Sequence, residues 1–223
     1  MKSLAAMVHW VLSVCAIGVV LLPSTVHAQA TPEIYQCAPT PLGNPLEGSM
    51  WNGWGADARN TRHQSADAAG LAAADVERLT LKWAYGFTKD QFVASQPTVV
   101  GGRIYIGTGT GVLGSSLPGG VRALDAETGC EYWRFPAHAI VRTAISIGPL
   151  HGTTPTRYAA YFGDLQGNVY AVDAETGTHL WTKRADVHPY ARITGAPTLF
   201  EGCLLYTSPS PRDRTRSRMP SSA

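Results

Sequence analysis

Val121-Arg-Ala-Leu-Asp125-Ala-Glu-Thr-Gly129-Cys-Glu-Tyr-Trp133 returns as Val169-Tyr-Ala-Val-Asp173-Ala-Glu-Thr-Gly177-Thr-His-Leu-Trp181, with eight of thirteen positions identical and no gap. The offset is 48 residues, from Asp125 to Asp173. Self-similarity at that spacing marks propellers and solenoids rather than a single compact unit. A second marker agrees: Gln96-Pro97-Thr98-Val99 is followed 100 residues later by Ala196-Pro197-Thr198-Leu199, close to two repeats.

Within each copy, short β-branched and aromatic runs alternate with glycine-rich breaks, the pattern of strands rather than helices. Asp-Ala-Glu-Thr-Gly has the chemistry of a tight turn, since Asp and Thr oxygens bond nearby amides and Gly tolerates a positive φ. Asp125 and Asp173 therefore read as turn-formers, and a carboxylate that recurs in each copy is not a single catalytic base. One unit then holds four strands near Gln96–Val100, Arg103–Ile106, Val121–Leu124 and Glu131–Phe135, which is one propeller blade. The next runs from about Arg142 to Lys183, and a third opens at Ile193. The expected fold is all-β, a β-propeller of four-stranded blades represented by about two of them. Upstream, Leu79 to Phe87 reads as an isolated outer strand whose Trp83 stands 50 residues before Trp133. Ala72 to Leu79 is the one stretch read as helical.

The flanks frame this region. Lys2, the apolar run Met7 to Leu22 and Val26-His27-Ala28 form a secretory signal, so residues 1–28 are expected to be removed and the product to be periplasmic or secreted. The run is shorter than the roughly 20 residues a spanning helix needs, so no stable membrane span is expected. Residues 29–78 form an N-terminal lead-in with a short helix, and 79–202 the partial propeller. Export places Cys37 and Cys130 in an oxidising compartment, where a disulfide and two unpaired thiols both remain open. Of 18 Lys and Arg, four (Arg212, Arg214, Arg216, Arg218) lie in the tail. Without them no clustered cationic face remains for nucleic acid. His63, His138, His151 and His188 lack metal-ligand spacing and read as solvated loop residues.

The AxDxxTGxxxW pattern at Ala123–Trp133 and Ala171–Trp181 resembles the docking motif of pyrroloquinoline quinone (PQQ) dehydrogenases, in which each tryptophan wedges between blades. Trp83, Trp133 and Trp181 are accordingly expected to be buried seam residues rather than stacking partners for a cofactor. Trp51 to Arg62 looks like that family's start. Leu81–Phe87, Val141–Gly148 and Ala191–Thr198 are similar to its polyvinyl alcohol dehydrogenase branch. The resemblance implies oxidation of alcohols, with PQQ and calcium as cofactors in the complete protein and an acceptor such as a cytochrome c. A substrate hydroxyl would lose its proton to a carboxylate as hydride passes to the polarised quinone carbonyl. Arg142 and Arg192 occupy matching places at the expected starts of innermost strands. Their guanidiniums suit quinone oxygens and carboxylates or a blade-to-blade salt bridge equally. Thr143 and Thr194 would add hydroxyl donors.

The chain departs from the resemblance in two ways: it has no adjacent cysteines of the kind found beneath the quinone and no haem-binding CxxCH. The blades expected to carry calcium ligands and base are absent, so this stretch alone is expected to be inactive. The alternative is a cofactor-free scaffold in the cell envelope, since propellers with this repeat also serve as docking platforms. From Cys203 the character changes: Cys203 to Ser208 is what the sequencing-adapter sequence TGTCTCTTATACACATCT encodes. Residues 203–223 are thus expected to be a non-native or disordered tail that adds no strand.

Overall fold

In the computed structural model the described residues are 35–57, 59, 61–87, 90, 92–111 and 117–206. The signal segment 1–28 and tail residues 207–223 lie outside them.

Two antiparallel four-stranded meanders carry the repeat. The first comprises β1 (Thr98–Val100), β2 (Arg103–Gly109), β3 (Gly119–Asp125) and β4 (Glu131–Ala137). The second comprises β5 (Ser146–Leu150), β6 (Arg157–Gly163), β7 (Asn168–Asp173) and β8 (His179–Arg184). A hairpin of β9 (Thr198–Phe200) and β10 (Cys203–Leu205) opens a third sheet. The repeat extends to irregularities: the β3–β4 ladder slips between Ala123 and Leu124, and the β7–β8 ladder between Ala171 and Val172. Those positions are one repeat apart, so the same bulge bends the same corner of each blade.

Both turns form as their chemistry dictates. Asp125 Oδ1 accepts from the amides of Glu127 and Thr128 at 3.0 and 2.8 Å and from the Thr128 hydroxyl at 2.8 Å. Asp173 repeats this with Glu175 and Thr176. Gly129 and Gly177 take φ of +74° and +72°, which L side chains rarely adopt.

The seams are tryptophan wedges. Trp133 Nε1 donates to Ala174 O at 3.1 Å in the turn of the second blade, and Trp83 Nε1 donates to Ala126 O at 3.1 Å in the turn of the first. Trp181 is half-buried rather than buried, and it packs on the cluster of Ala159, Tyr161 and Ala171 that Leu199 and Leu204 of the β9–β10 sheet also cover. The main core fills the seam between blades with Tyr105, Val121, Trp133, Ile145, Phe162 and Tyr170. Arg103 crosses it as well, donating to Glu175 O at 2.8 Å with its guanidinium 3.9 Å over the Tyr132 ring.

Three expectations are corrected. Leu79 to Phe87 is not a strand, because a strand exists through its ladder and no neighbouring strand pairs with it among the described residues. Trp83 nevertheless docks as an outer-strand tryptophan does. The helical stretch is a 3₁₀ turn at Ala73–Arg78, and it is preceded by a short α1 (Ala66–Ala69) that Ser65 caps. Cys203–Leu205 does add a strand, since Glu201-Gly202 turns the chain with positive φ at both residues and lets β10 fold back on β9.

Candidate functional site at the blade hub and its loop face

The lead-in segment identifies the hub. Trp51 pairs with Val99 of β1 through two backbone hydrogen bonds of 2.8 Å. The next residue, Asn52, uses its side-chain amide as a strand would, donating to Ile147 O and accepting from Ile147 N of β5, both at 2.8 Å. Adjacent residues thus tie together the first strands of two blades, and β5 also lies against β9. The edges β1, β5 and β9 therefore converge on residues 50–57, while Gln36 bridges to Glu131 on β4 at the opposite edge of the first sheet. A cleft of about 390 Å³ opens at the convergence, lined by Met50, Trp54, Asp57, Ile147, Thr198 and Leu199 among others.

Meander topology sorts the connections onto two faces. The Asp-Ala-Glu-Thr-Gly turns share one face. The loops 138–145 and 185–197 share the other with the turn at 164–167. The loop face holds all four residues singled out from sequence, although none lines the cleft. Arg142 and Arg192 do not start the inner strands as expected. They precede β5 and β9 by several residues, because the chain must first cross from the outer edge of one blade to the inner edge of the next. Arg142 is half-buried and Arg192 exposed, and neither side chain has a hydrogen-bond or ion-pair partner among the described residues. Thr194 is half-buried. Thr143 is fully buried and its hydroxyl is occupied, donating to Gly163 O at 3.3 Å and accepting from Gly163 N at 3.2 Å.

The turn that Thr143 grips is itself a polar knot. Asp164, fully buried, accepts through Oδ1 from the amides of Gln166 and Asn168 at 2.9 Å. Its Oδ2 accepts from Asn168 Nδ2 at 2.9 Å and from the Tyr170 hydroxyl at 2.6 Å. Tyr170 lies 3.0 Å from His138 Nδ1 and accepts from the His138 amide at 3.1 Å. Burial first, and the Asp164 carboxylate second, push the Tyr170 phenol well above its ordinary range. His138 is thus an exposed loop residue, as expected, but anchored to the core. Asp164 O also accepts from Ile193 N at 3.0 Å, between Arg192 and Thr194. Residues 163 and 164 therefore hold both arginine-bearing loops.

A second buried polar cluster is structural. Arg122 Nη1 reaches Glu131 Oε2 and its Nη2 reaches Asp90 Oδ2, both at 2.6 Å, and Tyr85 donates to Glu131 at 2.6 Å. Burial opposes ionisation of Glu131, but the Tyr85 hydroxyl and the Arg122 and Arg134 guanidiniums outweigh it and hold the carboxyl below its ordinary range. Desolvation and the same Glu131 contact raise the Tyr85 phenol to about 12. Cys37 and Cys130 form a disulfide, Cα–Cα 5.2 Å, that fastens the lead-in beside this cluster. Sequence reading missed Asn52 and Tyr170. The one available signal was that Tyr170 replaces Arg122 at the same repeat position.

Residues 117–210 match the family described as outer membrane protein assembly factor BamB. Over 166 residues the chain is 40% identical to a polyvinylalcohol dehydrogenase of Pseudomonas sp, and over 169 residues 37% identical to one of Sphingopyxis sp. (strain 113P3). These matches cover 74% and 75% of this chain but 24% of either relative, so the chain spans about a quarter of their length. A quinohemoprotein alcohol dehydrogenase from Comamonas testosteroni shares the fold, with a TM-score of 0.53 and 22% identity over 78% of this chain and 26% of that one. The chain thus has the fold of a PQQ-type β-propeller and, over three quarters of its length, is similar in sequence to the polyvinyl alcohol dehydrogenases.

Proposed function

We propose that the protein containing this propeller segment is a periplasmic or secreted dehydrogenase of alcohol groups, acting on polyvinyl alcohol or a related alcohol. It would use PQQ with calcium and pass electrons to an acceptor such as a cytochrome c. The observation that carries this reading is the 40% identity to a polyvinylalcohol dehydrogenase over 166 residues, three quarters of this chain.

The residues present fit such a cofactor in part. PQQ is a polycarboxylate, and a holder for it needs cations free to form charge-assisted hydrogen bonds. Arg142 and Arg192 answer that need, being on one face without partners among the described residues. Thr194, half-buried beside Arg192, adds a hydroxyl. Thr143 does not fit, because its hydroxyl already serves Gly163 in both directions. It acts instead by fixing the loop that presents Arg142. When bound, PQQ supplies the electron sink that lets a C–H bond of the alcohol break. This chain's share is to close the hub with Trp51 and Asn52 and to offer guanidiniums at its rim.

The test is reconstitution of the complete reading-frame product with PQQ and calcium, followed by reduction of an artificial electron acceptor on addition of polyvinyl alcohol or a secondary alcohol. Alcohol-dependent reduction is the expected result, and absence of any PQQ uptake overturns the reading. A second reading, a cofactor-free docking scaffold, draws on the match of residues 117–210 to the assembly-factor family. It predicts a folded product that takes up no PQQ.

A further inference from the structure

The loop face carries a second constellation that neither the repeat nor the proposed quinone contacts require. Asp164, Tyr170 and His138 form one chain of hydrogen bonds from a fully buried carboxyl to an exposed imidazole. The repeat supplies the positions but not the chemistry: 48 residues earlier Tyr170 and His138 correspond to Arg122 and Asp90, which form an ion pair instead.

Proton bookkeeping along the chain gives one answer. Four donors surround the two oxygens of Asp164. The one acceptor a protonated carboxyl would meet among these groups is the phenolic oxygen of Tyr170 itself, whereas three N–H donors converging on the two carboxyl oxygens favour the anion. Tyr170 has one proton, and the 2.6 Å contact shows it directed to Asp164 Oδ2. The phenolic oxygen therefore turns only lone pairs toward His138. It accepts from the backbone amide at 3.1 Å, and the 3.0 Å contact with Nδ1 is a hydrogen bond only if Nδ1 brings the proton. A neutral His138 is then held with Nδ1 protonated and Nε2 bare, and any positive charge it acquires is backed by a buried anion through the phenol. This is the logic by which a carboxylate sets the tautomer of a working histidine, with a tyrosine interposed.

We propose that His138 Nε2 is a preset hydrogen-bond acceptor for hydroxyl groups on the loop face, with Tyr170 and Asp164 as its positioning residues. The choice of alcohols as ligand class rests on the proposed dehydrogenase reading, and the position supports it. Asp164 is bonded through its carbonyl to Ile193, and its neighbour Gly163 to Thr143, so the chain stands between the two loops that present Arg142 and Arg192. A polymer bearing an alcohol on alternate carbons would offer it a donor next to the oxidised unit.

The test is nitrogen-15 NMR of the histidine side chains in the full chain at about pH 8.5, where an ordinary imidazole is neutral. His138 should show a protonated Nδ1 and an unprotonated Nε2, and a protonated Nε2 overturns the proposal without any variant being made. Tyr170→Phe should release the tautomer and populate Nε2–H, with Asp164→Asn as the second variant. An unchanged tautomer in both sinks the positioning role. Pentane-2,4-diol, two units of a polyvinyl alcohol chain, should then move the Nε2 resonance saturably in the wild type and at least several-fold more weakly in Tyr170→Phe. No saturable shift in the wild type overturns the ligand class. These measurements involve no quinone, so they stand or fall apart from the oxidation assay on the complete protein.

Discussion

The indole of Trp133 donates to the carbonyl of Ala174 at 3.1 Å and lies so close over Gly177 that a Cβ built there would come within 2.7 Å of the ring. Trp83 stands in the same relation to Ala126 and Gly129, again at 3.1 and 2.7 Å. Each blade is thus gripped by a tryptophan from the element before it, and the glycine of the turn is required twice over, for its positive φ and for the room it leaves.

Those two requirements separate experimentally. Gly177→Ala incurs the left-handed strain and the clash with Trp133, for a loss of about 3 kcal/mol or more. Gly152→Ala incurs the strain alone, since φ is +78° there but no atom lies within 4 Å of the new carbon, and should cost about 1 kcal/mol. Urea unfolding of both variants checks the difference. Equal losses would mean that Trp133 does not dock on Gly177.

Glu131 should dominate the acid sensitivity of the first blade. Its folded-state pKa lies below the ordinary 4.5, so its contribution is fully present above that value and is lost as pH falls through the depressed one. Glu131→Gln leaves Arg122 with Asp90 alone and should destabilise by on the order of 3 kcal/mol at neutral pH. The gap to wild type should narrow steadily below pH 4.5. Thermal unfolding across that range checks both.

The Cys37–Cys130 disulfide closes a loop of 93 residues that contains the hub segment. Reduction, or Cys37→Ser with Cys130→Ser, should lower stability by about 4 kcal/mol. Amide exchange reads a second consequence: with the staple gone, protection at Trp51 and Val99 should fall before that of β2 and β3, because the lead-in is held to the inner strands by few bonds.

Asn52 offers a finer probe of the hub. Asn52→Ala strands both Ile147 N and Ile147 O without their 2.8 Å partners, a loss of about 2 kcal/mol. Exchange at the Ile147 amide should accelerate, while the β6–β7 ladder keeps its protection.

What was legible in the sequence was whatever the chain decides locally or repeats. Asp125, Thr128 and Gly129 fold on one another, so their turn could be read from five residues. Trp133 and Trp181 announced their seams by recurring at one spacing. Leu79 to Phe87 misled because strand propensity carries no information about whether a ladder partner is alongside. Cys203–Leu205 misled in the other direction, since a hairpin needs only two short apolar runs and a turn that admits positive φ. The disulfide and the Asn52–Ile147 pair join residues more than ninety positions apart, distances that composition cannot supply. Arg142 and Arg192 stood out through their matched positions, but the burial of Thr143 did not, because a threonine before a strand looks the same whether its hydroxyl faces a ligand or a glycine.

That contrast gives the sharpest test of the proposed quinone contacts, made in the complete protein. Arg142 and Arg192 have no partners among the described residues, so Arg142→Ala and Arg192→Ala should change stability by no more than about 0.5 kcal/mol. If each guanidinium donates to a carboxylate or quinone oxygen, either change should weaken PQQ uptake at least tenfold, as expected for a lost charge-assisted hydrogen bond of about 1.5 to 3 kcal/mol. Thr143→Val should behave in the opposite way, costing about 1 to 2 kcal/mol through the unpaired Gly163 groups, with smaller effect on quinone affinity. Fluorescence titration with PQQ beside thermal melts separates these outcomes. Arginine variants that melt early and bind PQQ normally would show that the guanidiniums hold the fold and not the cofactor.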